Sequence, residues 1–405
     1  MGEYFEEYVG PFSLLTATEE ASRCLLCLDA PCSASCPAGT DPAKFIRSLR
    51  FKNVKGAAYT VRINNPLGGV CARVCPTEAY CQKGCTRCGI DKPIDIGRLQ
   101  RFITDFESSA KMKILEVESK IDKKIALVGS GPSALTIAAF LARKGYQVEI
   151  FEKEEKLGGA LRYGIPEYRL PTKVLDEEIN RIIDLGIKVH LNTYIEKEKL
   201  EELKKDFDAV VLASGYSKAK VLDIFKDNKY VITALDFLKR IKENKIDLSP
   251  YKTVITIGGG DVTMDVVTSL KIKRVPRVID VIYEEATEFR ASKKELDTAR
   301  ELGVSLLDGF IPVEVKENEV LFKHRFVESS LKVKGDLIVL GIGQEIENDF
   351  DLQVEKGEIK AENYHVKDNL FVSGDLSRND KSVVGCVRAG KEAAQAIDAY
   401  LGGKF

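Results

Sequence analysis

Ile125-Ala126-Leu127-Val128-Gly129-Ser130-Gly131-Pro132-Ser133-Ala134 is the stretch on which the fold turns. An apolar run that ends on glycine reads as a strand buried on both faces of a parallel sheet. The glycine turn opens directly into a helical stretch, so its backbone N–H groups and the helix N-terminus can receive a pyrophosphate. Ala134 stands where the third glycine of G-x-G-x-x-G falls, a permitted change. The next strand, Val148 to Phe151, ends at Glu152, about 20 residues beyond Gly131, where a carboxylate can accept hydrogen bonds from a ribose. A glycine turn alone would be a tight turn and no more. Strand, turn, helix and acid in this order read as a dinucleotide fold.

Working outward, the same arrangement recurs. Strand Val254 to Ile257 runs into Gly258-Gly259-Gly260-Asp261-Val262-Thr263 and a helical stretch to Leu270, which implies a second dinucleotide site. Thr263, in place of Gly or Ala, is expected to hold this helix slightly farther from the strand. The matching second strand, Val278 to Ile282, is followed by Tyr283, Glu284 and Glu285. At an effective dielectric of about 20, a unit charge about 5 Å from another contributes roughly 3 kcal/mol, so one carboxylate there disfavours a 2′-phosphate by about a hundredfold. NAD is expected over NADP, unless one or both glutamates merely point into solvent. Further runs at Ala209 to Ala213, Leu337 to Leu340 and Leu370 to Val372 alternate with helical stretches, as in open α/β sheets.

The region before Ile125 differs. Nine of the ten cysteines fall between Cys24 and Cys88. Helical patterning shows in Pro42 to Leu49 and Ile96 to Phe106, and a charged stretch, Glu107 to Lys124, leads to Ile125 and the start of a new domain. Cys24, Cys27, Cys32 and Cys36-Pro37 form C-x2-C-x4-C-x3-C-P, close to the ferredoxin-type run whose fourth cysteine reaches a second cluster. Cys71, Cys75-Pro76, Cys81, Cys85 and Cys88 follow. Structural zinc uses four cysteines at similar spacings, and spacing alone leaves it open. Two nucleotide folds beside the run favour an electron path.

Composition narrows the rest. With 44% hydrophobic and 30% charged residues, and 61 Lys+Arg against 62 Asp+Glu, the chain reads as globular and has no general push towards nucleic acid. No apolar h-region follows the acidic stretch Met1 to Gly10, and Glu6 stands where a myristoylation motif needs Ser or Thr. No run approaches the roughly 20 apolar residues of a membrane span. A cytoplasmic protein holding reduced thiolates on metal is expected.

The stretches RCLLCLDAPCSASCPAGTDPAKFIRSLRFKN, NNPLGGVCARVCPTEAYCQKGCTRCGIDKPIDIGRLQRF, GGALRYGIPEYRLP, GGGDVTMDVVTSL and ARELGVSLLDGF give the chain, over nearly its full length, a further feature. It resembles the family of the glutamate synthase small subunit and the N-terminal half of dihydropyrimidine dehydrogenase. That resemblance implies an α/β protein with an N-terminal helical iron–sulfur domain followed by two Rossmann-like domains, the NAD domain inserted in the FAD domain. The expected limits are 1–115 for the helical domain with two [4Fe-4S] clusters, 116–218 and 351–405 for the two halves of the FAD domain, and 219–350 for the NAD domain.

One cluster is implied on Cys24, Cys27, Cys32 and Cys85, the other on Cys36, Cys75, Cys81 and Gln100. Reasoning from the residues alone would not choose Gln100 over Cys71 or Cys88, which stay spare, while Cys386 reads as a packing residue. FAD is implied on Gly129, Gly131, Pro132, Ser133, Glu152, Gly159, Arg169 and Ile195, and again on Gly374 and Asp375 after strand Leu370 to Val372. There Asp375 would bond the ribityl chain and Val383 would start a helix beneath the flavin ring. NAD is implied on Gly258, Gly260, Asp261, Val262, Glu284 and Glu285.

The implied activity is electron input for an NAD-dependent dihydropyrimidine dehydrogenase. Hydride passes between NAD(H) and FAD at the junction of the two α/β domains, and single electrons pass through the clusters. The implied acceptor is a separate FMN-containing subunit that reduces uracil or thymine, in a heterotetramer. No general acid or base is required for the hydride step, and no pyrimidine site is offered by these residues. An input subunit for a glutamate synthase or a ferredoxin-type acceptor, and a scaffold without catalysis, are the alternatives.

Overall fold

The computed structural model describes residues 10–377 and 381–402; of the N-terminal stretch read above for targeting, Met1 to Val9 lie outside them. Helix α1, Leu14–Ser22, starts where Ser13 and Thr16 cap each other's backbone N–H groups, satisfying two donors the first turn leaves free. Helix α2, Pro42–Arg50, begins with proline at its first position and with Asp41, at φ 61°, accepting from the Lys44 N–H. Helices α3, Val54–Asn64, α4, Gly68–Val74, and α5, Ile96–Ser109, complete the helical part. Phe45 and Leu49 of α2 meet Val61, Leu99 and Ile103 in one core, with Cys24, Cys32 and Cys85 packed at its edge. Full burial of each such side chain contributes roughly 1.5–3 kcal/mol, so the cysteine loops rest on a formed hydrophobic base.

The first residues of the charged stretch belong to the helical part. Helix α5 runs on to Ser109, and Glu107 is fully buried. The physical reason is a partner distant in sequence: the Arg62 guanidinium of α3 donates to the Glu107 carboxylate at 2.7 Å.

Strand β1, Lys124–Val128, helix α6, Pro132–Arg143, and strand β2, Gln147–Phe151, form the first β-α-β unit, followed by helix α7, Thr172–Ile183, and strands β3, Lys188–His190, and β4, Ala209–Leu212. β1 pairs in parallel with β2 on one side and β4 on the other. The strand order therefore reverses at β1, and open α/β sheets bind ligands beyond the carboxyl ends of the strands at such a point.

Beyond Gly215 the chain enters a second compact unit, made of Tyr163–Glu167 and Tyr216–Glu345. Its ends are clasped where Lys218–Ala219 pairs antiparallel with Gln344–Glu345. Inside lie β5, Val231–Thr233, α8, Ala234–Lys242, β6, Thr253–Ile257, α9, Asp261–Ile272, β7, Arg277–Val281, α10, Lys293–Glu301, and β8, Ser305–Leu307. An antiparallel sheet of β9, Phe310–Lys316, β10, Glu319–His324, and β11, Ser330–Lys334, follows, and then β12, Leu337–Leu340. The parallel sheet runs β5-β12-β6-β7-β8. Alternation along β6 explains both of its layers. Val254 faces the core under α8, α9 and α10, while Ile255 and Ile257 face the three-stranded sheet through Val320 and Phe322.

The chain then returns to the first unit. Strand β13, His365–Lys367, pairs antiparallel with β14, Leu370–Val372, and β14 adds in parallel to β4. The first sheet is thereby β13-β14-β4-β1-β2-β3. Helix α11, Val383–Tyr400, begins at Ser382, whose side chain accepts from the Gly385 N–H. Among the described residues no helix is long and apolar enough to cross a membrane.

Candidate functional site: two cysteine constellations and two glycine turns

Cys24, Cys27, Cys32 and Cys85 line one cavity, whose other walls include Pro31, Ala43, Ile46, Ile94 and Ile96. The fold brings Cys85 to the first run by fixing the loop that carries it. Arg87 donates to the Arg23 carbonyl at 2.9 Å and pairs with Asp91, which Arg23 also reaches. Between the cysteines, Leu26 stands at φ 56°, a conformation costly for a leucine, and Leu28 is 94% exposed. Burial pushes the Cys24 thiol up and the Cys32 thiol up to about 11. An apolar cavity that resists bare thiolates needs a cationic metal core to hold them ionised, and these four sulfurs around one such cavity fit an iron–sulfur cluster.

Cys36 takes no part in lining that cavity. The Thr40 N–H points at its sulfur at 3.4 Å, and Cys36, Cys75 and Cys81 form a second constellation within electrostatic reach of one another. Burial pushes Cys81 up to about 12, drives Cys75 higher, and raises Cys71, buried beside them, to about 12. Gln100 is buried on α5 and its side-chain nitrogen donates to the Gly68 carbonyl at 2.7 Å; in that orientation the amide oxygen is the atom that could serve as a ligand. Cys88 is exposed, with its sulfur 3.4 Å from the Gln82 carbonyl. Among the described residues no three His, Cys, Asp or Glu side chains are gathered for a single metal ion.

A buried charge network underlies the second constellation and was not legible in the sequence. Arg62, without exposure, donates to Glu178 of α7 at 2.6 and 2.8 Å, to Glu107 and to the Pro66 carbonyl. Glu178 also accepts from the Gly69 N–H at 2.8 Å and from Arg181 at 2.7 Å. The helix that leads to Cys71 and Cys75 is thus pinned to α7 of the first α/β sheet. Burial pushes Glu178 up, but Arg62 and Arg181 outweigh it and hold its carboxyl below the usual range. Burial wins at Glu107, whose second oxygen has no hydrogen-bond partner.

At the first glycine turn, Gly129 has φ 102°, and a Cβ there would sit 2.7 Å from the Ala213 carbonyl at the end of β4. Gly131 caps α6, with Pro132 at the first helical position. Glu152 is buried and accepts from the Ser130 hydroxyl and from the Glu154 N–H. Gly159 lies against Gly131, where a Cβ would come within 2.9 Å of its Cα. Thr193 N–H donates to the Glu152 carbonyl at 2.8 Å, bringing the segment of Ile195 beside the turn; Ile195 itself packs with Val128 and Phe151. Arg169 is half-buried in the same unit.

The late segment meets this turn directly. The Ser133 and Ser373 hydroxyls lie 2.7 Å apart, and a Cβ on Gly374, at φ 72°, would be 3.0 Å from that of Ser133. Cys386, buried on α11, has its sulfur 3.5 Å from Asp375. Gly390 lets α11 cross α6 closely, since a Cβ there would stand 2.7 Å from the Ser133 carbonyl. Gly129, Gly131, Pro132, Ser133, Glu152, Gly159, Gly374 and Asp375 therefore gather at one end of the sheet. Gly390 and Ser373 were missed by the sequence reading, because only the crossing of α11 over α6 and the approach of the end of β14 to Ser133 give them a role.

In the inserted unit, Gly258 has φ 152° and lies against the Gly341 carbonyl, while Gly260 caps α9. Thr263 is accommodated by Gly341: its hydroxyl donates to the Gly341 carbonyl at 3.3 Å, where a side chain on 341 would collide. The space that a small residue at 263 would supply comes from its neighbour instead. Asp261 accepts from the Ser292 N–H at 2.7 Å, and Val262 is partly exposed. The two glutamates part company. Glu284 leans over Gly259 and pairs with Arg290 at 2.7 Å, whereas Glu285 faces solvent.

Comparison with known proteins agrees with this architecture. The family model for dihydropyrimidine dehydrogenase domain II, 4Fe-4S cluster, matches residues 2–112, and that for pyridine nucleotide-disulphide oxidoreductase matches residues 123–396. The NAD-dependent dihydropyrimidine dehydrogenase subunit PreT of Escherichia coli (strain K12) is 48% identical over 404 residues, covering 99% of this chain and 98% of the relative. Among solved structures, Mycobacterium tuberculosis FprA in complex with NADPH superposes with a TM-score of 0.59 at 17% identity, over 69% of this chain and 85% of that one. Thioredoxin reductase of T. acidophilum does so with a TM-score of 0.54 at 15% identity, over 69% and 99%. These two share the fold of the α/β part.

Proposed function

The chain belongs to the family of dihydropyrimidine dehydrogenase PreT subunits, an oxidoreductase family joining a 4Fe-4S domain to a pyridine nucleotide-disulphide oxidoreductase domain, and from that premise we propose how its residues divide the work. It is a nicotinamide-linked electron-input subunit. The proposed route joins NAD(H) to FAD, then two [4Fe-4S] clusters, then an FMN-containing, pyrimidine-reducing partner subunit in a cytoplasmic heterotetramer. Bound flavin supplies the exchange between paired and single electrons that this route requires.

The protein's part is to bind and to orient. In the proposed division 1–115 holds the clusters, 116–218 and 351–405 hold FAD, and 219–350 holds NAD. The observation that carries the reading is the cavity shared by Cys24, Cys27, Cys32 and Cys85, with Cys36 turned to a second constellation. A structural zinc site would not need that crossing-over. Cys36, Cys75, Cys81 and Gln100 are the proposed ligands of the second cluster. Gly131 and the N-terminus of α6 are placed to receive the flavin pyrophosphate, with Glu152 on its ribose and Asp375 on its ribityl chain. Gly258, Gly260, Asp261 and Val262 play the corresponding part for the nicotinamide cofactor. Glu284, set over the turn, supports NAD over NADP because its charge meets a 2′-phosphate there. Among the described residues none of the ten cysteines pairs in a disulfide.

The test is anaerobic purification with assay of flavin, iron and sulfide, followed by NADH-dependent reduction of a dye and then of uracil with and without the partner subunit. The expected result is about one flavin and about eight iron and sulfide per chain, dye reduction by the chain alone, and uracil reduction only with the partner. Zinc in place of iron and sulfide, or uracil reduction by the chain alone, refutes the reading.

A further inference from the structure

Helix α11 starts at Val383, where the flavin reading places the ring, and two turns along it carries Lys391 towards the helical part of the same unit. The Lys391 ammonium reaches the loop that holds Cys36, where a Cβ on Gly39, at φ 63°, would lie 3.7 Å from its Nζ. That loop is wound tightly around the cysteine. The Gly39 N–H donates to the Cys36 carbonyl at 3.0 Å and the Thr40 N–H points at the sulfur.

Lys391 is only partly exposed, and the contact at its tip is the face of Phe140, 5.8 Å away. Among the described residues no carboxylate lies within ion-pair distance of it. Burial pushes this ammonium below its ordinary range, and Cys36 is the group that opposes the push. A partly desolvated cation without a carboxylate is unfavourable unless an anion completes its surroundings. The anionic group that would complete them is a thiolate-bound cluster at Cys36, which would gain one further negative charge each time it is reduced.

We propose that Lys391 is the fixed counter-charge of the second cluster, a positioning residue that favours the cluster's reduced form from the helix that also supports the flavin. The inference rests on the reading of Cys36 as a ligand of that cluster. Because the ammonium reaches the Cys36 loop and Lys391 does not line the cavity of Cys24, Cys27, Cys32 and Cys85, its effect is selective. A unit charge about 12 Å away at an effective dielectric of about 20 changes a charging equilibrium by roughly tenfold.

The experiment is an anaerobic redox titration of the whole flavin- and cluster-loaded chain, followed by electron paramagnetic resonance, with iron, sulfide and flavin assayed on each sample. Lys391→Met should keep both clusters while the reduced-to-oxidised ratio of one falls about tenfold at a fixed potential, equivalent to about 59 mV for one electron. The other cluster should not move, and Lys391→Arg should restore the parent value. Should the Met variant lose its cluster, Lys391→Gln, uncharged but polar, carries the same expectation. Unchanged potentials in a Met variant that holds two clusters overturn the proposal alone, as does an Arg variant shifted as far as the Met variant. A parent chain without a second cluster overturns the ligand assignment and the proposal with it.

Discussion

Replacing Arg62 by Met tests how the cysteine-bearing helices are tied to the first α/β sheet. Arg62 is completely buried, with side-chain exposure of 0% for itself and for Glu107 and 4% for Glu178. In the parent, Arg62 and Arg181 face Glu107 and Glu178, two cations against two carboxylates. The substitution leaves two buried carboxylates sharing Arg181, and breaking such a network from one side costs about 3–5 kcal/mol. At roughly 2 °C per kcal/mol for a unit of this size, the melting temperature should fall by about 6–10 °C.

The pH dependence supplies a sign. Glu178 is held below its unfolded value by its arginines. Its stabilisation is therefore present above the unfolded pKa, about 4.3, and is lost as pH falls through the lower folded value. In the variant the carboxyl should move above that value, so the gap between parent and variant should open as pH rises above about 4 and narrow in acid. Anaerobic melts followed by circular dichroism from about pH 4 to about pH 8 measure both quantities. Adding Glu178→Met removes the uncompensated charge and should recover more than half of the loss. A single variant melting within 2 °C of the parent, or a gap that widens in acid, would refute the reasoning.

Three further outcomes are expected. Cys85→Ser should roughly halve iron and sulfide, because one of four sulfurs around the first cavity is lost, whereas Cys88→Ser should leave both unchanged; equal losses in the two would contradict the ligand set. Glu284→Ala should remove the carboxylate over Gly259 and free Arg290 for a phosphate, so steady-state kinetics should show the preference for NADH over NADPH falling by about a hundredfold, and an unaltered preference would place the discrimination elsewhere. Asp280 is fully buried on β7, bonded to Thr256 at 2.5 Å with its other oxygen unpartnered. Burial pushes its carboxyl up to about 8, above the unfolded value of about 3.9, so its contribution is fully present below about pH 4 and lost as pH rises towards 8. Asp280→Asn should therefore gain stability relative to the parent across that window, and a constant difference in melting temperature would show that the carboxyl is already ionised.

The sequence by itself determined the parts whose signals are local. Apolar runs ending in glycine set β1 and β6 and the helices after them, since a buried parallel strand and a turn that must accept φ above zero each have a composition of their own. Cysteine spacing marked the metal-binding region, and the charge after β7 marked the proposed place of cofactor choice. The tertiary structure decided what depends on residues far apart in the chain. It put Cys85 with the first run and Cys36 with Cys75 and Cys81, turned Glu284 over the turn and Glu285 into solvent, and set Gly341 opposite Thr263. It also buried Glu107, the first residue of a stretch marked only by its charges, because Arg62 on another helix pairs with it. Lys391 shows the same limit: a lysine in a helix is ordinarily a solvated charge, and only the crossing of α11 over α6 at Gly390 brings this one to a cysteine loop. Local rules record what a residue prefers, whereas the sign and worth of a charge are set by the company it keeps after folding.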